Sequence, residues 1–324
     1  MPIHAFIFPG QGSQSVGMGR DLAAAFASAR EVFEEVDDIL GQKLAKLMFE
    51  GPTETLTLTE NAQPALMAVS LAVLRTLERE GGFTLRERAA MVAGHSLGEY
   101  SALAAAGSLT VAATAALLRR RGRAMQAAVP PGAGAMAALL GVEMDVAREI
   151  CAAAAVRPPV DGRATGSDVV EVANDNGGGQ VVISGHLAAV ERALAVARER
   201  GLKRAMLLPV SAPFHCSLMS PAADAMRDAL AEAAIATPTV PLIGNVTATR
   251  TTRPETIRDN LVLQVTGTVR WRESLLAAQA MGADTFVELG AGKVLSGLTR
   301  RVAPECRALN AGTPAEIEAL LKAL

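Results

Sequence analysis

The chain has 324 residues, half of them hydrophobic and only 3% aromatic, so a large core of aliphatic side chains can form. Its formal net charge of −2 argues against a general nucleic-acid-binding protein, which usually has a strong basic excess. The three cysteines, Cys151, Cys216 and Cys306, lack metal-ligand spacing and indicate reduced thiols in a cytoplasmic protein without a metal site.

The first part of the chain alternates predicted strands and helices. Residues 3–8 form an apolar run typical of a buried strand, and a glycine-rich segment over residues 9–14 follows it. Helical periodicity covers residues 21–40 and 64–80, and a second apolar run over residues 89–93 predicts another strand. Alternating strands and helices predict a mostly parallel sheet covered on both faces.

An uncharged stretch over residues 101–118 approaches the length of a membrane span. Gly107 and Ser108 interrupt it, and Thr110 suits the N-cap of a second helix. Many of the other residues are small or hydroxylated and drive membrane insertion only weakly. We therefore predict two buried helices joined by a turn, no membrane contact and no signal peptide.

The pattern changes at the Pro- and Gly-rich residues 129–134. A strand, helix, strand, strand, helix and strand are then predicted, in that order, over residues 135–140, 145–155, 169–173, 180–184, 187–200 and 204–210. This βαββαβ order is the ferredoxin-like motif. We predict a small ferredoxin-like domain over residues 130–209, inserted into a large domain made of residues 1–129 and 210–324.

The large domain resumes with two further predicted strands and a final helix, over residues 242–246, 285–289 and 314–324. Its central motif is Gly-His-Ser-Leu-Gly at residues 94–98, between a predicted strand and a predicted helix. This arrangement forms the nucleophile elbow of an α/β-hydrolase-like domain. The glycines would avoid clashes around a strained Ser96, whose hydroxyl would stand at a helix N-terminus. Ser96 is therefore a predicted nucleophile, and the alternative is a serine that only caps the helix.

A serine nucleophile needs a base, and the chain has four histidines. His4 begins the first predicted strand, His95 adjoins Ser96 and should point away from it, and His186 lies in the predicted small domain. His215 follows the end of a predicted strand, where the sites of α/β proteins collect. We predict His215 as the base, and the alternative is a buried structural histidine.

The third member of a catalytic triad is not evident. Asp161, Asp168 and Asp175 lie between Ser96 and His215 but fall in the predicted inserted domain. A carbonyl oxygen could hold the imidazole instead, which would make the catalytic group a dyad.

Four arginines, Arg119, Arg120, Arg121 and Arg123, lie on the predicted helix after the elbow. We interpret Arg119, Arg120 and Arg123 as a solvated basic face, although one of the four could instead turn inward and clamp a carboxylate. Spacing alone does not indicate which one does so.

Two glycine-rich loops suggest other functions. Residues 10–15 are similar to the start of a dinucleotide-binding fingerprint but lack its third glycine, and residues 290–293 do not match a phosphate loop. Both loops are more simply interpreted as tight turns whose backbone packs closely beside an active site. A dinucleotide-binding protein nevertheless remains an alternative, as does a serine hydrolase such as a thioesterase, which would share the elbow and the base.

Several motifs together resemble the malonyl-CoA:acyl-carrier-protein transacylases of fatty acid synthesis, almost from end to end. They are found at residues 8–14, 94–100, 174–176, 179–185, 213–219 and 288–295. The resemblance implies that Ser96 is the nucleophile and His215 the base. It implies that Arg121, 25 positions after Ser96 (121 − 96), binds the malonyl carboxylate.

The same resemblance implies supporting roles. The backbone N–H groups of Gln11 and Leu97 would form the oxyanion hole, and the backbone carbonyl of Gln264 would orient the histidine. Phe214 is similar to the residue found before the histidine in malonyl-selective members. The loop over residues 157–168 is longer than is usual in the family.

The implied reaction transfers malonyl from malonyl-CoA to the phosphopantetheine thiol of holo acyl carrier protein, through a malonyl-serine and with ping-pong kinetics. No cofactor is implied beyond the coenzyme A thioester and the acceptor's own phosphopantetheine, and a monomer is expected. Because acyl carrier proteins are acidic, we expect a basic docking patch. Its candidates are Arg119, Arg120, Arg123, Lys203 and Arg204.

Overall fold

The structure is a computed structural model that describes residues 3–157, 166–210 and 212–324. Ten strands lie within these ranges: β1 (His4–Phe8), β2 (Ala89–Gly94), β3 (Gly134–Leu140), β4 (Val170–Gly177), β5 (Gln180–His186), β6 (Arg204–Leu207), β7 (Leu242–Ile243), β8 (Arg250–Thr251), β9 (Thr285–Leu289) and β10 (Arg307–Ala311). They form two sheets, so the molecule is a mixed α/β protein.

The helices of the described residues are α1 (Arg20–Ala25), α2 (Ala27–Leu40), α3 (Leu44–Glu50), α4 (Thr53–Thr57), α5 (Thr59–Gly81), α6 (Leu85–Arg88), α7 (Gly98–Ala105), α8 (Val111–Ala127), α9 (Met144–Ala155), α10 (Leu187–Glu199), α11 (Ser220–Glu232), α12 (Pro254–Thr266), α13 (Trp271–Ala280), α14 (Val294–Val302) and α15 (Pro314–Leu321). A short 3-10 helix over Ser217–Met219 precedes α11.

The larger sheet has the strand order β10-β9-β1-β2-β7-β8, and every neighbouring pair except β7–β8 is parallel. Its faces are covered by different cores. Phe6 and Phe8 of β1 pack into the core formed with α2, α5, α7 and α8, whereas Ala5 and Ile7 pack into the core formed with α13 and α14. Successive side chains of a strand point to opposite faces, so β1 is buried along its whole length. The predicted, mostly parallel sheet is confirmed.

The smaller sheet has the order β4-β5-β3-β6, and all its pairs are antiparallel. Its strands and the helices α9 and α10 enclose a separate hydrophobic core. Each strand and helix predicted over residues 135–210 is present, although β6 ends at Leu207 instead of continuing to 210. Asp161 and most of the long predicted loop, residues 158–165, lie outside the described residues.

Two helix predictions in the first half can be compared directly with the structure. The helix predicted over residues 21–40 is divided into α1 and α2, because Phe26 adopts an extended backbone conformation. The two helices predicted within residues 101–118 are confirmed as α7 and α8, and the Thr110 hydroxyl caps α8 by accepting from the N–H of Ala113 at 3.1 Å. No helix of the described chain is long and apolar enough to cross a membrane.

The two sheets are joined through β4. Its residue Asn174 forms a parallel bridge with Val269, the N–H of Asp175 donates to the Val269 carbonyl at 2.9 Å, and the N–H of Val269 donates to Ala173 at 2.9 Å. This backbone pairing brings the end of β4 beside the carboxyl end of β2, where the predicted elbow lies.

Candidate active site

The Gly-His-Ser-Leu-Gly turn lies between β2 and α7 and holds Ser96 in the left-handed region, with φ of 54°. A Cβ atom at Gly94 would lie 1.9 Å from the carbonyl oxygen of Gly98, and one at Gly98 would lie 2.2 Å from the carbonyl oxygen of Phe8. The strain at a non-glycine residue with positive φ is thus combined with backbone approaches that only glycine permits. The predicted nucleophile elbow has this geometry.

His215 contacts Ser96 directly, although 119 positions separate the two residues. Its Nε2 lies 2.8 Å from the Ser96 Oγ, and its Nδ1 lies 2.8 Å from the backbone carbonyl oxygen of Gln264. A carbonyl oxygen can only accept, so Nδ1 carries the hydrogen and Nε2 of the neutral ring is left as the acceptor for the serine hydroxyl. Burial, followed by the positive charge of Arg121, lowers the pKa of His215 to about 3, which keeps the imidazole neutral.

The other histidines lie where they cannot replace His215. His4 is at the amino end of β1 and lies 3.0 Å from the Arg88 carbonyl oxygen. His95 points away from Ser96, and its Nε2 lies 2.9 Å from the Asn176 side-chain oxygen. His186 ends β5 in the smaller sheet.

Arg121 turns inward from α8 and is 1% exposed. The spacing of the four arginines did not indicate which one is buried, and the structure shows that it is Arg121. Its Nη2 donates to the Ser96 Oγ at 3.1 Å and to the Gln264 side-chain oxygen at 2.8 Å. Its Nη1 donates to the Gln63 side-chain oxygen at 2.9 Å, and the guanidinium lies 5.7 Å from the ring centroid of Tyr100. Each hydrogen-bond partner is neutral, and burial lowers the Arg121 pKa.

The prediction of a solvated face is wrong for Arg119, whose side chain is only 11% exposed. It donates to Gln42 and lies 3.7 Å from the Glu60 carboxylate, because it packs against the start of α5. Arg123 is more exposed and donates to the same Glu60 carboxylate at 2.7 Å. Arg120 pairs with Glu232 at 3.7 Å.

Lys203 and Arg204 are exposed at the amino end of β6. The cavity beside Ser96 is lined by Leu208 and Pro209, beyond the opposite end of that strand. Three of the five residues considered as a docking patch, Arg119, Arg120 and Arg123, are ion-paired, and the patch stays a prediction.

Two backbone N–H groups near Ser96 are free to bind an oxygen. Within the described part of the chain, the N–H groups of Gln11 and Leu97 have no hydrogen-bond acceptor. The loop that carries Gln11 packs tightly on the elbow, since a Cβ atom at Gly10 would lie 2.7 Å from the carbonyl oxygen of His95. Close approach to the elbow explains the glycine at position 10.

A cavity of about 570 Å³ opens above Ser96 and His215. Gln11 and Arg121 line it from the large-sheet side, and Asn176, Val182 and Leu208 are among the residues that line it from the small-sheet side. Phe214, which is 7% exposed, also lines it, beside His215. The space lies between the two sheets, at the carboxyl ends of the parallel strands, where α/β proteins bind ligands.

Two site residues were missed from the sequence. Asn245, after β7, accepts from the Ser96 N–H at 2.7 Å and donates to the Gly94 carbonyl at 2.7 Å, which holds the elbow from outside. Glu99, the second residue of α7, is 1% exposed and accepts from the Gln264 side-chain Nε2 at 2.6 Å. A charged residue at a helix start usually indicates a favourable dipole interaction, so only its place after the elbow could have identified Glu99.

The cysteines are free and buried. The Sγ of Cys216, beside His215 in sequence, donates to the Pro213 carbonyl at 3.1 Å, and burial raises its pKa to about 11. That thiol is therefore protonated at neutral pH and packs in the core. Among the described residues, no group of histidine, cysteine, aspartate and glutamate side chains could hold a metal ion.

Comparison with known proteins identifies the family. The family model for the acyl transferase domain matches residues 5–303. The chain belongs to the acyl transferase family. It is 44% identical over 318 residues to the malonyl CoA-acyl carrier protein transacylase of Escherichia coli strain K12, with 98% of each chain covered.

Solved acyl transferase structures agree along the whole length. The acyl-carrier-protein-S-malonyltransferase of Bartonella henselae is 54% identical, with a TM-score of 0.93 and 99% of each chain covered. A malonyl-transacylase solved in complex with its holo type II PKS acyl-carrier protein is 38% identical, with a TM-score of 0.92 and coverage of 99% of this chain and 100% of that one. The resemblance inferred from the motifs is confirmed, and the chain is an acyltransferase.

Proposed function

We propose that this acyltransferase moves the malonyl group of malonyl-CoA to the phosphopantetheine thiol of an acyl carrier protein, through a malonyl ester on Ser96. The buried guanidinium of Arg121, whose Nη2 lies 3.1 Å from the Ser96 Oγ, is the main support for this proposal. A buried cation beside the nucleophile favours an acyl group that carries its own carboxylate. The names of the relatives support the same substrates.

The first half-reaction acylates Ser96. Neutral His215 takes the proton from the Ser96 hydroxyl through Nε2 as the oxygen attacks the thioester carbonyl carbon. The N–H groups of Gln11 and Leu97 would bind the resulting oxyanion, and such a donor typically contributes roughly 3–4 kcal/mol. When the C–S bond breaks, the imidazolium returns the proton to the departing sulfur, so coenzyme A leaves as the thiol.

The second half-reaction reverses these roles. His215 takes the proton from the phosphopantetheine thiol, and the sulfur attacks the ester carbonyl of malonyl-Ser96. The C–O bond to Ser96 then breaks, and the serine oxygen recovers the proton from the imidazolium. The Gln264 carbonyl oxygen, 2.8 Å from Nδ1, would hold the ring in one tautomer through both halves and so replaces the aspartate of a triad. Ping-pong kinetics follow from this order of events.

The site's position supports the domain organisation predicted from the sequence. We propose that residues 1–129 and 210–324 form an α/β-hydrolase-like catalytic domain. Residues 130–209 would form a ferredoxin-like domain that covers the cavity. Phe214 would narrow the cavity beside the malonyl methylene, since it lines that space next to His215. The monomeric state, the cytoplasmic location and the absence of a cofactor stay predictions.

Intact-mass spectrometry tests the proposal. Protein mixed with malonyl-CoA alone should gain one malonyl group, and peptide mapping should place it on Ser96. A Ser96→Ala variant should gain none, and addition of holo acyl carrier protein should return the wild-type mass and malonylate the carrier.

The alternatives give different results in the same experiment. A thioesterase would release malonate and coenzyme A without a thiol acceptor and would leave Ser96 free. A dinucleotide-binding protein would leave Ser96 unlabelled and would copurify with a nicotinamide or flavin chromophore.

A further inference from the structure

Glu99 is a buried carboxylate that the reaction described above does not use. One of its oxygens, Oε2, accepts from the Gln264 Nε2 at 2.6 Å and from the Asn245 N–H at 3.3 Å. Its other oxygen, Oε1, is buried and has no hydrogen-bond partner among the described residues. Such a group is costly to bury as an anion unless a positive charge lies nearby.

The nearby positive charge is Arg121, and the two groups are connected through one amide. The Gln264 side chain accepts from Arg121 Nη2 through its oxygen and donates to Glu99 through its nitrogen. The amide is thus oriented with its negative end towards the cation and its positive end towards the carboxylate. Every direct hydrogen-bond partner of the guanidinium is neutral, so Glu99 balances its charge across this relay.

We propose that Glu99 is the counter-charge of Arg121 in the free enzyme and binds a proton when the malonyl carboxylate reaches the guanidinium. This inference rests on the proposed function, because it requires a substrate carboxylate at Arg121. Without the added proton, two carboxylates would share one buried cation, and like charges in a poorly solvated site disfavour double ionisation. The proton removes the second negative charge.

The groups around Glu99 fit a single titrating carboxylate. Arg121 from α8 and Tyr100 beside it in α7 interact electrostatically with Glu99, and Tyr100 stays neutral because burial raises its pKa to about 12. From α12, Glu99 is contacted by the neutral side-chain amide of Gln264, and from the residues after β7 by the backbone N–H of Asn245. Desolvation, only partly opposed by these hydrogen bonds and by Arg121, raises the Glu99 pKa to about 7. A modest further change in charge therefore alters its protonation.

Two histidines complete the surroundings of Arg121. His215 and His95 are both buried and both have a lowered pKa, so each is neutral at pH 7 in the free enzyme. A proton taken up by His215 instead of Glu99 is the competing explanation that an experiment must separate.

The proton enters as a reactant in the acylation of Ser96. Enzyme with ionised Glu99, malonyl-CoA and one proton give malonyl-Ser96 enzyme with protonated Glu99 and coenzyme A thiol. No electron is transferred, and the malonyl carboxylate remains ionised against Arg121. Acetyl-CoA gives acetyl-Ser96 and coenzyme A thiol with no proton taken up, because no second carboxylate enters the site.

The test is a proton count on the intact enzyme. Weakly buffered protein with a pH-indicator dye is mixed with malonyl-CoA or acetyl-CoA, and the protons absorbed are divided by the acyl-Ser96 formed, measured by intact mass. For a carboxyl group with a pKa of about 7, the malonyl reaction should absorb about half a proton per adduct at pH 7 and about 0.9 at pH 8. The acetyl reaction, which releases the same thiol, should absorb none.

Variants assign the proton. Glu99→Gln should abolish the uptake, and Glu99→Asp, which keeps a carboxyl group, should retain it. Glu288→Gln is the matched control, because Glu288 is also buried but accepts from the N–H groups of Leu295 and Ser296 at 3.1 and 2.7 Å, in a separate network. It should leave the uptake unchanged.

The outcomes are distinct. A malonyl adduct formed by the wild-type enzyme without proton uptake would overturn the role of Glu99 and leave the proposed function intact. Uptake that persists in Glu99→Gln would assign the proton to His215 and would also overturn it. Absence of any malonyl adduct on Ser96 would overturn the proposed function and this inference with it. Where Glu99→Gln does not fold, the pH dependence in the wild-type protein separates the two groups: uptake by Glu99 rises from pH 7 to pH 8, whereas uptake by His215, already neutral in the free enzyme, can only fall.

Discussion

At the scale of single residues, the cation in the cavity decides which acyl group the enzyme accepts. A guanidinium buried to this degree loses most of its hydration, and in the free enzyme the amides of Gln63 and Gln264 and the Ser96 hydroxyl accept its hydrogen bonds. These neutral groups accept from Nη1 and Nη2 without cancelling the charge. An incoming carboxylate therefore finds a cation that is already desolvated and oriented, which is the arrangement that binds an anion with the least reorganisation.

Arg121→Ala should separate malonyl from acetyl transfer. Removal of one partner of a buried charge pair costs roughly 3–5 kcal/mol, and each 1.4 kcal/mol is a factor of ten, so kcat/KM for malonyl-CoA should fall at least about 100-fold. The value for acetyl-CoA should change far less, because acetyl has no carboxylate. Steady-state kinetics with both thioesters measure the difference.

Arg123→Ala is the matched control for that experiment, since Arg123 lies on the same helix, is 66% exposed and pairs with Glu60 instead of contacting Ser96. It should leave both values close to wild type. An equal loss of malonyl and acetyl transfer in Arg121→Ala would contradict the carboxylate-binding role.

At the scale of elements, the elbow is fixed by two close backbone contacts and by one side chain. Strand β1 approaches it at Gly98, the start of α7 approaches it at Gly94, and the Asn245 side chain bridges it from the loop after β7. The strained Ser96 conformation persists because these contacts leave the turn no alternative path.

Gly94→Ala should therefore destabilise the protein. Its new methyl group would lie 1.9 Å from a backbone oxygen that cannot rotate away, and overpacking of this kind typically costs about 1–3 kcal/mol. Gly297→Ala in α14 is the control, because nothing lies within 4 Å of its added Cβ and its φ is not positive. Alanine there should stabilise the helix by about 0.5–1 kcal/mol. Urea unfolding curves give both values, and equal effects would contradict the packing argument.

Hydrophobic periodicity and turn residues located most of the elements correctly, because they act over a few residues at a time. Such local signals located the strands around the elbow, the Thr110 cap and the βαββαβ order. The break at Phe26 and the edge strand β10 were missed, since packing against the rest of the fold determines both.

The site was predictable only where a motif or a process of elimination applied. Ser96 and His215 were identified that way. The family resemblance also selected Arg121 among four neighbouring arginines, which spacing alone did not. The roles of Glu99 and Asn245 were missed, because they depend on which side chain points inward and local spacing does not determine that.

At the scale of the whole molecule, the cavity exists only while the smaller sheet stays over the larger one. Besides the backbone bridge at Val269, two side-chain contacts at the end of β4 hold the sheets together. Asn176 lies 2.9 Å from the ring of His95, and the 3% exposed carboxylate of Asp175 accepts from the Nε of Arg272 at 2.8 Å. His95 belongs to the elbow, Asn176 lines the cavity and Asp175 is its neighbour in sequence, so the docking of the sheets and the geometry of the site are linked.

Arg272→Ala should loosen this connection because it leaves the Asp175 carboxylate buried without its cation. Arg272 itself is 37% exposed, so water screens part of the interaction, and we expect a loss of about 1–3 kcal/mol in the free energy of unfolding. Asp175→Asn combined with Arg272→Ala should recover part of it, since the uncompensated charge is gone. Arg227→Ala breaks an exposed pair with Asp224 and should change the free energy by less than about 0.5 kcal/mol. Urea unfolding of the four proteins decides the matter, and a loss in Arg272→Ala no larger than that in Arg227→Ala would mean that the Arg272–Asp175 pair does not help to hold the sheets together.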